Sequence, residues 1–263
     1  MHLLRSGNVT LLTLPALMAG LAGFTGRLAA QQRFFPDVPS FELPVASPRV
    51  NGFAGRIIKT SRADNLFGKE KEADVAIGED FPVFLLRGGP RPVTLGFGVE
   101  VYGRFSLDDP KTSMISTDWQ VGFNVHADLR PWELALQLYH ESSHLGDEYA
   151  DRFGASRIDW TREVLTAWAG YHAGRFRIMG SGSYVPIDEL KLSRWAGSLG
   201  VDYRGAGFRL LGQTMHPIAG LYGEGASATD WRISTSAKAG LALPGGKPGR
   251  EFTLSIVAHD GLS

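Results

Sequence analysis

The chain has 263 residues, 27 basic and 27 acidic side chains, and no cysteine. Balanced charge gives no support for a nucleic-acid partner or a polybasic membrane surface. The lack of cysteine excludes disulfides, thiol nucleophiles and Cys-ligated zinc. Overall hydropathy is near neutral, far below that of a helical membrane protein. A β-barrel that alternates lipid-facing and lumen-facing residues averages out there.

Residues 1–30 read as a secretory signal peptide: His2 and Arg5, an apolar run from Val9 to Phe24, and Leu28-Ala29-Ala30 as the cleavage site before Gln31. The run is too short and too glycine-rich for a spanning helix; a retained N-terminal anchor is the alternative. Residues 31–49, "QQRFFPDVPSFELPVASPR", form an extended Pro/Phe-rich lead-in with no regular structure.

From residue 50 to 263 the rhythm has period two, which predicts a β-barrel domain. In Pro92–Phe105, Val93, Leu95, Phe97, Val99 and Val101 share one face, and Thr94, Glu100, Tyr102 and Arg104 the other. In Thr117–Asp128, Trp119, Val121, Phe123 and Val125 oppose Asp118, Gln120, Asn124 and His126. Ser193–Arg204 and Asp230–Leu241 repeat the pattern. The predicted strands are Asn51–Thr60, Lys71–Arg87, Pro92–Phe105, Ser113–Ala127, Trp132–Glu141, Arg157–His172, Arg175–Val185, Ser193–Arg204, Gly207–Met215, Thr229–Ala242 and Glu251–His259.

Short turns at Arg87–Pro90, Asp128–Pro131, Ala173-Gly174, Gly205-Ala206 and Pro244–Gly249 alternate with longer loops at Ser61–Glu70, Leu107–Ser113, Ser143–Ser156, Pro186–Leu192 and Pro217–Ala228. Outer-membrane barrels have this alternation, with the long loops outside. Trp119, Trp160, Trp195 and Trp231 each open a strand after a long loop, as an outer aromatic girdle would; Trp132 follows a short turn and fits an inner one. The expected fold is therefore all-β, an antiparallel transmembrane β-barrel exported to the cell outer membrane, in contact with outer-membrane lipid. Single-chain bacterial barrels have an even strand number. The last predicted strand runs outward to Asp260–Ser263, so the expectation is a barrel of about twelve strands lacking its final one. A ten-strand barrel is the alternative.

One segment, "YHESSHLGDEY" from Tyr139 to Tyr149, carries candidate chemistry. His140-Glu141-Ser142-Ser143-His144 spells the H-E-x-x-H of a zinc helix. On a strand that extends the row Leu134, Leu136, Leu138, however, His140 and His144 stand roughly 13 Å apart at about 3.3 Å per residue, too far for one zinc. If the following loop folds back, His144, Asp147 and Glu148 form an oxygen-rich set that suits Ca²⁺ better. On the strand reading His140 and Ser142 share the lipid-facing row, His140 as general base and Ser142 as nucleophile. A third group must orient the imidazole: Glu141, Asp147, Glu148, Asp159 and Glu163 are the candidates, with Glu148 placed in the leading assignment. Such a serine hydrolase needs no organic cofactor. The plainer reading is a strand end with interfacial polar residues.

"YHESSHLGDEY", "RFFPDVPSFELPVASPR", "TDWQVGFNV" and "GEDFPVFLL" resemble a bacterial family of exported proteins, domain of unknown function 1207. The resemblance implies an outer-membrane-type barrel without an assigned activity. Its members continue past an H-D-G-x-S segment into a final strand. His140-Glu141-Ser142 is also similar to the H-x-S-N motif of the lipid A 3-O-deacylases, small barrels whose His and Ser face the outer leaflet. Ser143 stands where those enzymes have Asn, and a hydroxyl is a weaker oxyanion donor than an amide. The similarity implies a lipid acyl hydrolase with His140, Ser142 and Ser143 at the site, to which the segment itself adds His144 and Glu148 as candidates. The competing expectation is a small pore or structural barrel lined by Glu100, Asp118, Asn124, His126, Gln137, Asp202, Arg204, Arg232 and Lys238.

Overall fold

A computed structural model describes residues 33–36, 38–60, 71–88, 91–109, 111–154, 156, 160–192, 194–245 and 250–261. The leader assigned to residues 1–30, the loop at 61–70 and Asp159 lie outside them. The strands are β1 (Arg33–Phe34), β2 (Ala54–Lys59), β3 (Lys71–Gly88), β4 (Arg91–Ser106), β5 (Met114–Leu129), β6 (Trp132–Leu145), β7 (Trp160–Ala173), β8 (Phe176–Asp188), β9 (Trp195–Arg204), β10 (Phe208–Leu210), β11 (Gln213–Ala226), β12 (Ser234–Pro244) and β13 (Glu251–Asp260). One helix, α1 (Asp147–Phe153), follows β6.

All pairings are antiparallel; they join sequence neighbours from β3 to β9, then β9 pairs with β11, β11 with β12 and β12 with β13, while β10 pairs only with β11, and β1 and β2 both lie on the outer edge of β3. Among the described residues no backbone ladder closes the sheet on itself. An ion pair does span the gap: Arg250, just before β13, lies 2.6 Å from Glu79 on β3.

The two faces invert the usual arrangement of a water-soluble sheet. On β5, Trp119, Val121, Phe123 and Val125 are exposed, whereas Asn124 and His126 are buried. On β6, Trp132, Leu134, Leu136 and Leu138 are exposed and Glu133 and Glu141 are buried. Phe123 is 67% exposed and Glu141 only 2%. Apolar side chains thus cover the outer face, and charged ones are hidden inside.

The lead-in fills the inside. Residues 38–52 have no regular secondary structure, and they touch the inner faces of strands from β3 to β12. Ser40 donates to Asp80 O (2.7 Å), Arg177 donates to Glu42 O (2.6 Å) and Val45 N–H donates to Asp202 (2.8 Å). Ser236 donates to Ala46 O, Arg56 to Pro48 O, Tyr102 to Val50 O, and Gly52 N–H donates to Glu100. Phe41, 2% exposed, packs against Trp168 and His126. A segment that reaches so many strands through short bonds requires the sheet to curl around it.

Glycines make that approach possible. A Cβ on Gly200 of β9 would lie 2.7 Å from Pro44 Cβ, and one on Gly220 of β11 would lie 3.1 Å from the Ala46 nitrogen.

Two sequence expectations are corrected. The first concerns the predicted strand Gly207–Met215 and loop Pro217–Ala228. The chain instead makes the short β10, turns at Leu211-Gly212 (φ 50° and 78°), and runs through the long β11. Pro217 sits inside β11 because β9 gives out opposite it at Gly205–Gly207, where no ladder bond needs the missing N–H. The turn expected at Gly205-Ala206 is this interruption. The second concerns Trp160. It shares the inner row of β7 with Arg162, which stacks over its ring at 4.4 Å, and its indole N–H donates to Asp188. Trp119, Trp195 and Trp231 remain exposed on the long-loop rim and Trp132 on the other.

At the long-loop rim α1 is tied down. Arg152 pairs with Asp109 at 2.8 Å, and Ser113 donates a hydrogen bond to the same carboxylate. The Ser113 hydroxyl first, then Arg152 and the Lys111 N–H, hold the Asp109 carboxyl down at about 2. A depressed carboxyl stabilises the fold above the ordinary carboxylate range, and this contribution disappears as pH falls toward 2.

Two outcomes follow. Gly200→Val should destabilise the protein by about 1–3 kcal/mol through overpacking against Pro44, read as a lower thermal midpoint in detergent. Gly182→Ala, whose Cβ meets nothing within 4 Å, should not change it. Asp109→Asn should make the 107–113 loop and α1 more susceptible to pepsin than wild type at pH 4, with the difference vanishing near pH 2 where the wild-type carboxyl also protonates.

Candidate active site on the outer face

All of His140-Glu141-Ser142-Ser143-His144 lies in β6. The zinc spelling therefore has no helix beneath it. Alternation sends His140, Ser142 and His144 to the outer face and Glu141 and Ser143 to the inner one. Asp147 and Glu148 open α1 beyond the strand end. Among the described residues no group of three or more His, Asp and Glu is gathered to hold a metal ion.

The pairing of β6 with β7 places Glu163 directly opposite His140. His140 Nδ1 and Glu163 Oε1 are 2.8 Å apart, with the side chains 43% and 35% exposed. Both stand on the outer face, so the pair is neither buried nor fully in water. A carboxylate on Nδ1 fixes the tautomer that carries its proton there and leaves Nε2 as the acceptor. Ser142 is the next outer residue along β6, flanked in register by Trp119 on β5 and Thr161 on β7. No hydrogen bond joins Ser142 to His140 among the described contacts. Below His140 the row continues through Leu138, Leu136 and Leu134, each more than 40% exposed.

The structure thus brings His140 and Glu163 together and places Ser142 beside them. Glu148, on α1, makes no bond to His140 among the described contacts. Ser143 faces inward opposite Asp118 and Trp160, away from Ser142. His144 faces outward opposite Thr117.

Behind this outer row lies a buried charge cluster that the sequence did not reveal. Glu141, 3% exposed at its side chain, accepts from Arg49 (3.0 Å) and from Arg162 (3.2 Å). Arg49 also donates to Asp118 on β5 at 2.8 Å and lies over the Tyr102 ring at 4.8 Å. Two cations and two anions balance. Lower down, Glu133 accepts from Arg177 (3.1 Å) and pairs with His172 (2.9 Å), and His126 lies 3.3 Å away. Arg177 also faces Asp202 at 3.5 Å. Of the residues that were expected to line a pore, Glu100, Asp118 and Asp202 accept hydrogen bonds from the lead-in, and Asn124, His126 and Gln137 face Asp80, Glu133 and Trp168 on the wall.

These features define a class: an antiparallel β protein with an apolar outer face, a charged and filled interior, and a His–Glu pair beside a serine on the outside. The chain belongs to the family described as protein of unknown function (DUF1207), whose model matches residues 20–263. No curated protein and no solved structure matches it. The likeness to the lipid A 3-O-deacylases is confined to the H-x-S spelling.

Glu141→Gln should lower stability by about 3 kcal/mol, the low end for a broken buried pair, because Arg49 and Arg162 keep some solvent. The thermal midpoint in detergent checks this; an unchanged midpoint would mean the cluster contributes nothing.

Proposed function

We propose that the protein is an outer-membrane β-barrel hydrolase that removes an acyl chain from a membrane lipid at an outward-facing Ser142–His140–Glu163 site. The membrane reading is supported by the exposed apolar outer face and by strands of 14 to 18 residues from β3 to β7, longer than a tilted bilayer crossing requires. Tryptophans at both ends of that face fit interfacial girdles. The long-loop rim would lie outside. The observation that carries the catalytic reading is the 2.8 Å His140–Glu163 contact on that apolar face. A polar pair turned toward lipid has an energetic cost, and a lipid substrate gives it a use.

In this reading a substrate acyl chain lies along Leu138 and Leu136, with its ester carbonyl at Ser142. Ser142 Oγ attacks the carbonyl carbon while His140 Nε2 takes the hydroxyl proton. Glu163 accepts from Nδ1–H and stabilises the imidazolium. The tetrahedral oxyanion collapses, the alkoxide leaves, and His140 returns the proton to it. Water entering from the rim then attacks the acyl-serine, with His140 again taking and giving the proton, and a fatty acid departs. Ser143 cannot donate to the oxyanion from the inner face. Of the outward groups beside Ser142, Thr161 already donates to Glu189 at 3.1 Å, which leaves the Trp119 indole N–H as the nearest candidate in register.

A non-enzymatic barrel is the second reading. Occupation of the inner face by residues 38–52 favours a structural barrel over an open pore.

Mass spectrometry of lipid A and phospholipids from Gram-negative cells expressing the gene tests the proposal. Loss of one acyl chain in the wild type, absent in His140→Ala and Ser142→Ala and reduced about 10²–10⁴-fold in Glu163→Gln, is the expected result. No lipid change with a folded, inserted protein would sink the hydrolase reading.

A further inference from the structure

The buried cluster and the outer row occupy the same length of the same three strands, back to back. Asp118 on β5 sits between Thr117 and Trp119. Glu141 on β6 sits between His140 and Ser142. Arg162 on β7 sits between Thr161 and Glu163. Each inner charge is therefore one residue from the outer groups proposed above to act on the ester. Glu141 and Arg162 are direct cross-strand partners, as are His140 and Glu163 in the next register position. A bond that fixes the inner pair also fixes the backbone from which the outer pair projects.

Arg49 completes this staple from outside the sheet. Its Nη2 reaches Asp118 at 2.8 Å and Glu141 at 3.0 Å, so one guanidinium ties β5 to β6. Arg162 then ties β6 to β7. Both guanidiniums rest against aromatic rings, Arg49 on Tyr102 and Arg162 on Trp160, which restricts their rotamers. Arg49 also belongs to a segment whose neighbours are bonded to the wall on either side, at Pro48 O and Val50 O.

We infer that Arg49 of the lead-in is a positioning residue for the outer site: by holding Glu141 and Asp118 it sets the spacing of Ser142, His140 and Glu163 on the opposite side of the sheet. The inference rests on the hydrolase reading, and it gives Arg49, alone of the lead-in, a role in the site beyond filling. Without Arg49 the cluster carries one uncompensated negative charge, and at the level of Ser142 β6 keeps its backbone ladder to β5 but loses the side-chain link between them.

A fluorophosphonate probe tests this on the full chain in detergent micelles. It labels an activated serine without requiring the natural lipid: Ser142 Oγ bonds to phosphorus, fluoride leaves, and His140 takes the proton. Labelling of wild type at Ser142, absent in Ser142→Ala, is the first expected result. Arg49→Met should slow labelling by roughly 10²-fold, the effect of about 1 Å of misplacement, while Arg49→Lys recovers much of the rate. Ser40→Ala, which removes a different lead-in bond, should label like wild type. Hydrogen exchange provides a readout independent of catalysis: Arg49→Met should accelerate amides in residues 139–145 and 160–165 and leave β9 to β13 unchanged. Wild-type labelling absent would remove the hydrolase reading and leave the positioning claim to exchange. Arg49→Met labelling and exchanging as wild type would overturn the inference. So would an equal loss in Ser40→Ala, which would point to general loosening of the lead-in.

Discussion

The structure depends on one constraint: charged and polar groups on an inner face that lies behind an apolar outer face must find their partners from within, and most of them do. Residues 38–52 cross that interior without a neighbouring strand to pair with, so their backbone has no ladder. Side chains of the wall take its place. Arg177, Ser236, Arg56 and Tyr102 donate to the carbonyls of Glu42, Ala46, Pro48 and Val50, and Asp202 and Glu100 accept from the N–H groups of Val45 and Gly52. An orphaned backbone group there would cost about 1–3 kcal/mol. Several inward charges are in turn paired with the segment or with one another: Asp118 and Glu141 with Arg49, and Glu133 with Arg177. The two parts are complementary: Arg49 of the segment pairs with Asp118 and Glu141 of the wall, and the wall bonds the segment's backbone.

The same constraint links interior and exterior. Alternation means that each inward charge has outward neighbours one residue away, so a tightly held interior yields an exterior of fixed geometry. Elsewhere on the outer face this produces only rows of aliphatic and aromatic side chains. On β6 and β7 it produces His140, Ser142 and Glu163 among leucines. On the proposed hydrolase reading the site needs no pocket in the usual sense, since lipid would supply both substrate and low dielectric.

Much of this was legible in the sequence because a strand's period of two is simple to detect. The faces of β4, β5 and β6 and the strand placement of His140 and Glu141 follow from it, whereas the predicted strand stops at Glu141 and β6 runs on to Leu145. The period fails where side chains vanish: the outer row of β11 includes Ala219, Gly223 and Gly225, so only Leu221 marks it, and Pro217 imitates a loop. The phase of β7 was ambiguous in sequence, which hid the inward turn of Trp160 and left Glu163 one candidate among several. Choosing it required the cross-strand register. Arg49 could not be found at all: its partners lie 69 and 92 residues away, and a Pro-rich segment without periodicity gives no sign of being inside a sheet.

The central claim is that the leucine row of β6 meets hydrocarbon while the adjacent row is sealed against the lead-in. The chain has no cysteine, so single nitroxide-labelled cysteines at Leu136 and Gln137 report each face without background. In liposomes the expected result is high collision rates with dissolved oxygen and low rates with a water-soluble nickel complex at position 136, and low rates with both at position 137. Nickel access at position 136 matching that of an exposed loop would contradict it.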